Sequence, residues 1–197
     1  TDPPYGIGGN LSAGYKGRKP PTGFKKVHAG QGWDATLDVR DAALRAWGDK
    51  PYAVFGSPKR LDGAVPHREV PLIWDKGELV GMGDLTFPWR VNYELIYVSG
   101  PWAGSRTSTA VLRYPLSNKD ASRIGHPTPK PIPLMGNLID RAPAGVIADP
   151  FTGSGSTLIA AKERGRKAVG VEMDERYCEI AAKRLAQDVL DLFGGAA

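Results

Sequence analysis

Three observations predict an α/β fold for this chain. Short apolar runs of strand length alternate with stretches of helical periodicity along its 197 residues. A glycine turn, Asp149-Pro150-Phe151-Thr152-Gly153-Ser154-Gly155, joins one such run to a helical stretch. The next apolar run beyond that helix ends on an acid, Glu172. Strand, glycine turn, helix and strand make a right-handed βαβ unit, the nucleoside-binding half of a Rossmann-like sheet.

The elements follow in order. Residues 6–32 are rich in Gly and Pro, poor in apolar periodicity, and read as a long loop. Asp34 is placed to cap a helix through Trp47, with Leu37, Ala42, Leu44 and Trp47 on its packed face. Residues 51–55 form a short buried strand, stopped by Gly56-Ser57-Pro58. Residues 68–75 and 92–99 predict two more strands, paired antiparallel. Residues 100–125 read as a second loop region, interrupted by a short strand at 110–112. A helix over 132–139 is entered through prolines, which suit a first turn. The glycine turn is framed by a strand at 146–148 and a helix at 156–164, with a further strand at 167–171. Asp174 caps a last helix on which Tyr177, Ile180, Ala181, Leu185 and Val189 recur at helical spacing. The expectation is a single domain, residues 1–197, with residues 126–193 as its cofactor-binding half.

Composition narrows the setting. Lysine and arginine number 26 against 21 acids, a formal net charge of +5, which suits a polyanionic partner. The single cysteine, Cys178, excludes an intrachain disulfide framework and a cysteine-based zinc site. Its place in the helix after Glu172 predicts a packed residue, and no metal is expected. No apolar run reaches the length of a membrane span and no signal peptide is visible, so the expected setting is the cytoplasm, without a membrane partner.

Gly153 and Gly155 let the backbone turn tightly and approach a ligand without a Cβ in the way. Glu172 stands at the spacing expected of a carboxylate that grips a ribose diol. The same layout serves NAD, but Leu158 occupies the third glycine position of that pattern and no diphosphate clamp adjoins it. A donor without phosphates, S-adenosyl-L-methionine, fits the shortened pattern better. The chain also opens on Asp2-Pro3-Pro4-Tyr5. The two motifs, in this order, resemble the β-class DNA amino-methyltransferases, which methylate the N6 amine of adenine or the N4 amine of cytosine. The resemblance covers most of the chain and implies a methyltransferase sheet with helices on both faces.

The resemblance implies roles as well. Asp149, Phe151, Gly153, Ser154, Gly155 and Ser156 form the donor pocket, with Glu172 on the ribose. His126-Pro127-Thr128-Pro129-Lys130-Pro131 is similar to the family's H-P-T-x-K-P segment, so Thr128 and Lys130 are expected near the donor's amino-acid moiety. Exocyclic amines are poor nucleophiles, because the lone pair is delocalised into the ring. The Asp2 carboxylate and the Pro3 carbonyl supply acceptors for the amine hydrogens; Pro3 and Pro4 carry no amide hydrogen, so the turn presents acceptors. Tyr5 offers a flat ring on which an extruded base stacks. Catalysis is then orientation and electrostatics, without a covalent enzyme intermediate. Methylation at carbon 5 of cytosine requires a thiolate on a loop, and Cys178 lies in a helix, so that reading is rejected. Asp at position 2 resembles the adenine-N6 enzymes; Ser there would lean toward cytosine-N4.

Double-stranded DNA is the implied partner, with a homodimer and a cognate restriction endonuclease as further expectations. Lys16, Arg18, Lys19, Lys25 and Lys26, interleaved with Tyr15 and Phe24, follow the opening turn and are the expected phosphate contacts. Arg106, Arg113 and Arg123 are weaker candidates. The chain departs from the family in one respect. There the opening turn hangs from a core strand, whereas only Thr1 precedes Asp2. The fold is therefore expected to be incomplete at the N-terminus, with a gap beside the cofactor strand and exposed apolar flanks. A remnant that binds DNA without transferring methyl groups is the non-enzyme alternative. Replacing Lys16, Arg18 and Lys19 together by Ala is expected to weaken duplex binding and flatten the slope of log K against log [salt] by roughly 2 to 3. Binding isotherms across a salt series measure this; an unchanged slope would remove the loop from the DNA contact.

Overall fold

The computed structural model describes residues 1–5, 36–59, 61, 65–66, 70–78, 88–104, 108–115, 123–126 and 128–194. Asp34, the five basic residues expected at phosphates and Arg106 lie outside the described residues, as do Pro127 and the side chain of Val189.

Four strands make the larger sheet: β1 (Tyr52–Gly56), β2 (Leu72–Asp75), β3 (Tyr93–Ser99) and β4 (Val111–Arg113), in the order β1-β3-β2-β4. β3 is antiparallel to both neighbours, with Tyr52 opposite Ser99 and Leu72 opposite Ile96, while β4 runs parallel to β2. The expected antiparallel pairing of the second and third strands is therefore present. A second, two-stranded sheet holds β5 (Ile147–Asp149) parallel to β6 (Ala168–Gly170). The connection between them carries the glycine turn and a helix, α3 (Ser156–Lys162).

Strand parity divides the apolar residues between two faces. On one, Phe55, Trp74, Ile96 and Leu112 meet Leu134, Met135, Leu138 and Ile139 of α2 (Ile132–Arg141) and Ala160 and Ala161 of α3. On the other, Val54, Leu95 and Tyr97 pack with Val65 and with Leu44 of α1 (Asp38–Trp47). Helices thus cover both faces. The final helix, α4 (Glu175–Gly194), lays Ala181 so close to the glycine turn that a Cβ at Gly155 would sit 2.9 Å from the alanine's own.

Thr1 joins the two sheets. Its main-chain nitrogen donates to the Ala53 carbonyl at 2.8 Å, and its own carbonyl accepts from the Phe55 amide at 3.0 Å. On the other side its hydroxyl donates to Asp149, the last residue of β5. Val146, Val169 and Val171, at and beside the smaller sheet, are exposed.

Several sequence expectations need correction. α1 begins at Asp38, with Leu37 at its N-cap. Ala42 is exposed, and the buried residue of that helix is Arg40, whose guanidinium pairs with Asp41 at 2.7 Å. β2 starts at Leu72, because Pro71 has no amide hydrogen to pair and Val70 is exposed. β4 lies one residue later than expected. Cys178 is exposed, its thiol 3.5 Å from the Glu172 carbonyl, because it falls to the side of the stripe made by Tyr177, Ile180, Ala181 and Leu185. Asp174 does cap α4: its carboxylate accepts from the Arg176 amide at 3.0 Å.

Phe55 is fully buried and meets the Trp74 ring edge-on, centroids 6.0 Å apart. Phe55→Ala is expected to cost about 3–5 kcal/mol. Urea denaturation would show this as a lower midpoint at unchanged m-value.

Candidate active site

The glycine turn is organised around one buried carboxylate. Asp149 ends β5, where its Oδ1 accepts from the Thr1 hydroxyl at 2.7 Å and from the Phe151 amide at 3.2 Å. Its other oxygen accepts from the Thr157 hydroxyl in the first turn of α3. The Thr152 hydroxyl closes the loop on the Asp149 carbonyl at 2.9 Å. Gly153 and Gly155 take φ of +52° and +86°, the left-handed region that side chains disfavour. Ser154 is buried, and its carbonyl and hydroxyl both accept from Arg184 of α4, at 2.6 and 3.1 Å.

Glu172 sits directly beside this turn. One oxygen accepts from the Gly153 amide at 2.8 Å; the other accepts from the Met173 and Asp174 amides, both at 2.9 Å. At the entrance of α3 the Ser156 hydroxyl is buried with no hydrogen-bond partner among the described residues. A buried, unsatisfied hydroxyl is costly unless something else meets it. A polar ligand seated on the turn would do so. His126 lies against Tyr177, ring centroids 4.5 Å apart, and its Nε2 stands 3.1 Å from where a Gly153 Cβ would be. Thr128 is exposed and its amide reaches His126 Nδ1 at 3.3 Å.

The opening turn closes over a cluster of buried charge. Pro3 and Pro4 are buried, and the Tyr5 ring packs against the core. The Asp2 carboxylate accepts from the Tyr5 hydroxyl at 2.5 Å and from the Lys130 ammonium at 2.6 Å. Lys130, 8% exposed, also pairs with Glu94 at 3.0 Å and lies over the rings of Phe55 and Trp74, 4.8 and 5.3 Å from their centroids. Glu94 on β3 is held on its other oxygen by Lys76 at 2.5 Å, and it is 2.9 Å from the Tyr5 hydroxyl. Two carboxylates thus face two ammonium groups, and the cluster is neutral.

Its electrostatics follow. Burial alone would raise the Glu94 carboxyl, but Lys130 and then Lys76 outweigh it and hold the group at about 2. Burial would lower Lys130, yet Asp2 and Glu94 raise it above the ordinary lysine value. Burial first, then the Asp2 and Glu94 charges, push Tyr5 well above the usual phenol range, so it stays protonated. The site presents a fixed anionic acceptor at Asp2 within one residue of the hydroxyl that reaches the glycine turn.

The structure thus brings Asp2, Tyr5, Asp149, Phe151, Gly153, Gly155 and Ser156 into one region. It sets Lys130 beneath Asp2, and it ties Ser154 to α4. Arg113 stands apart on β4, with Asp75 at 3.6 Å, and Arg123 is exposed. Sequence reasoning missed Glu94, Lys76 and Thr157. The signal for the first two was available: an acid on β3 and a lysine one residue past β2, at the parity of the core-facing Ile96 and Trp74, where unpaired charge is rare. Among the described residues there is no cluster of metal-ligating side chains and no helix long and apolar enough to cross a membrane.

A Rossmann-like α/β core, a ligand-ready glycine turn and an adjoining Asp-Pro-Pro-Tyr turn define the amino-methyltransferase class. Residues 67–183 match the DNA methylase family, more than half of the chain, and the chain belongs to that family of DNA N6 and N4 amino-methyltransferases. It is similar to the type II methyltransferase M.ScaI of Streptomyces caespitosus, 41% identical over 73 residues covering 36% of this chain and 24% of that protein. It is likewise similar to the type II methyltransferase M2.LlaDCHI of Lactococcus lactis subsp. cremoris, 36% identical over 103 residues covering 48% and 35%. The matches therefore span about a quarter to a third of these relatives' lengths. The crystal structure of the M1.HpyAVI-SAM complex shares the fold, with a TM-score of 0.53 at 22% identity over 69% of this chain and 74% of that one.

Because Glu94 is lowered on folding, its stabilisation is complete above the ordinary carboxylate value of 4.5 and is lost as pH falls from there to about 2. The expected loss is on the order of 3 kcal/mol. Lys130→Met removes the larger of the two cations' effects, so the loss should begin at higher pH, and the variant should be less stable at pH 7 by about 3–5 kcal/mol. Urea unfolding between pH 3 and 7 tests both statements.

Proposed function

We propose that this chain transfers a methyl group from S-adenosyl-L-methionine to the N6 amine of adenine in double-stranded DNA. The observation that carries the reading is the Thr1–Asp149 hydrogen bond, 2.7 Å, which holds the Asp2 turn at the mouth of the glycine turn. A donor pocket and an amine-orienting carboxylate gain catalytic meaning only when adjacent. The left-handed glycines, the orphan Ser156 hydroxyl and the rim carboxylate of Glu172 fit a phosphate-free nucleoside ligand. Glu172 uses three acceptor positions on backbone amides, and a carboxylate has about four, which leaves one for a ribose hydroxyl.

In this reading Asp149, Phe151, Gly153, Gly155 and Ser156 hold the donor, and Glu172 takes its ribose. The bound donor supplies a methyl carbon made electrophilic by a cationic sulfur. Asp2 and the Pro3 carbonyl accept the two amine hydrogens, which turns the nitrogen lone pair toward that carbon. Tyr5 supports the everted base from its ring face, which is reached after unstacking at a cost of a few kcal/mol. Duplex DNA is the proposed partner, approached by the basic segment that follows the opening turn. A second copy of the chain and a cognate restriction endonuclease are the further partners this reading expects.

Incubation with methyl-labelled donor and unmodified PCR-made duplex, followed by digestion to nucleosides and mass analysis, is expected to yield N6-methyldeoxyadenosine. N4-methyldeoxycytidine instead would reassign the target base, and salt-sensitive DNA binding without donor affinity would mark a binding remnant. Asp2→Ala should lower transfer about 100- to 1000-fold, the scale of losing a key electrostatic contact, with donor affinity within about twofold of the parent. A fully active Asp2→Ala protein would remove Asp2 from the chemistry.

A further inference from the structure

The Tyr5 hydroxyl is flanked by two carboxylates yet carries a single proton. Asp2 Oδ1 stands 2.5 Å from it and Glu94 Oε2 2.9 Å, while the Lys130 ammonium approaches the same oxygen at 3.4 Å. A phenol donates one hydrogen bond. Rotation about its C–O bond therefore points the proton at Asp2 or at Glu94; in the second setting Asp2 Oδ1, no longer bridged to the phenol oxygen by a hydrogen, draws back from the 2.5 Å separation. Both carboxylates keep a lysine in either setting: Lys130 for Asp2, and Lys130 with Lys76 for Glu94. The two settings are built from the same atoms, and neither leaves a buried charge unpaired.

We propose that Glu94 is a positioning residue: it accepts the Tyr5 hydrogen bond when a target amine arrives, freeing Asp2 Oδ1 to accept the amine hydrogen at full strength. The inference rests on the amine-methylation reading and deepens it. With the hydroxyl turned toward Asp2, that oxygen's charge is partly spent on the phenol. With the hydroxyl turned toward Glu94, Asp2 Oδ2 stays fixed by Lys130 and Oδ1 faces the amine alone. No proton leaves Tyr5; only a hydrogen bond changes partner. The raised ionisation of Tyr5 and the lowered one of Glu94 keep donor and acceptor in these forms across ordinary pH. Glu94 touches neither base nor donor in this scheme. It acts through Tyr5.

A double-mutant cycle separates this role from a merely structural one. Glu94→Gln is made in the parent and in a Tyr5→Phe background, which keeps the ring and removes the hydroxyl whose hydrogen bond Glu94 is there to accept. Methyl transfer to PCR-made duplex is measured with labelled donor, and donor affinity by calorimetry. The expected result is a kcat loss of about thirtyfold from Glu94→Gln when Tyr5 is present and less than about threefold in the Tyr5→Phe background. KM for DNA and donor Kd should stay within about twofold in every variant. Equal losses in both backgrounds, or no loss in the parent, would overturn the proposal. Should Glu94→Gln fail to fold by circular dichroism, the same cycle is run with Glu94→Gln paired to Lys76→Met, which restores charge balance in the cluster. An active parent with equal losses defeats only the role of Glu94; a parent that methylates no base defeats the underlying reading and this inference with it.

Discussion

One desolvated cation organises the proposed reactive end of this protein. Lys130 is almost wholly buried, and an ammonium in that position persists only where carboxylates and aromatic faces replace its water. Asp2 and Glu94 supply the charge; Phe55 and Trp74 supply the faces. The consequence is geometric. Asp2 lies at the front of the chain, Glu94 on β3 and Lys130 just ahead of α2, so three distant segments must converge before all of the charges are satisfied. Burial that would be unfavourable for each group alone becomes a constraint on where the opening turn sits.

The second constraint is the Asp149 carboxylate. It collects the Thr1 hydroxyl, the Phe151 amide and the Thr157 hydroxyl, and so fixes the opening residue, the glycine turn and the start of α3 with one side chain. Backbone contacts of Thr1 with Ala53 and Phe55 complete the link to the larger sheet. The two sheets are thereby aligned through residue 1, and the proposed donor pocket and reacting turn share one frame.

What the sequence discloses depends on whether a constraint is local. The glycine turn and Glu172 were legible because close backbone approach leaves its mark in consecutive residues, and the strand–helix alternation of the last third followed from periodicity. The opening turn was legible through its resemblance to a family motif. The ion cluster was not, since Asp2, Lys76, Glu94 and Lys130 are separated along the chain and only the fold brings them together. Helix faces were harder again. Arg40 takes the buried position on α1 by pairing with its neighbour Asp41, and Cys178 lies just off the stripe that α4 buries, so a rule that ranks residues by apolarity misplaced both.

The grip of Arg184 on Ser154 has a bearing on how the proposed nucleoside end of the site keeps its shape. A guanidinium from the second half of the described face of α4 reaches back to both the carbonyl and the hydroxyl of a residue flanked by the two left-handed glycines. With Ala181 wedged against Gly155, that helix acts as a template on which the bend is cast. Any tilt of the helix would be transmitted to the bend as a change in curvature, so the contour of the proposed donor pocket is set as much from behind as from the residues that would touch the donor.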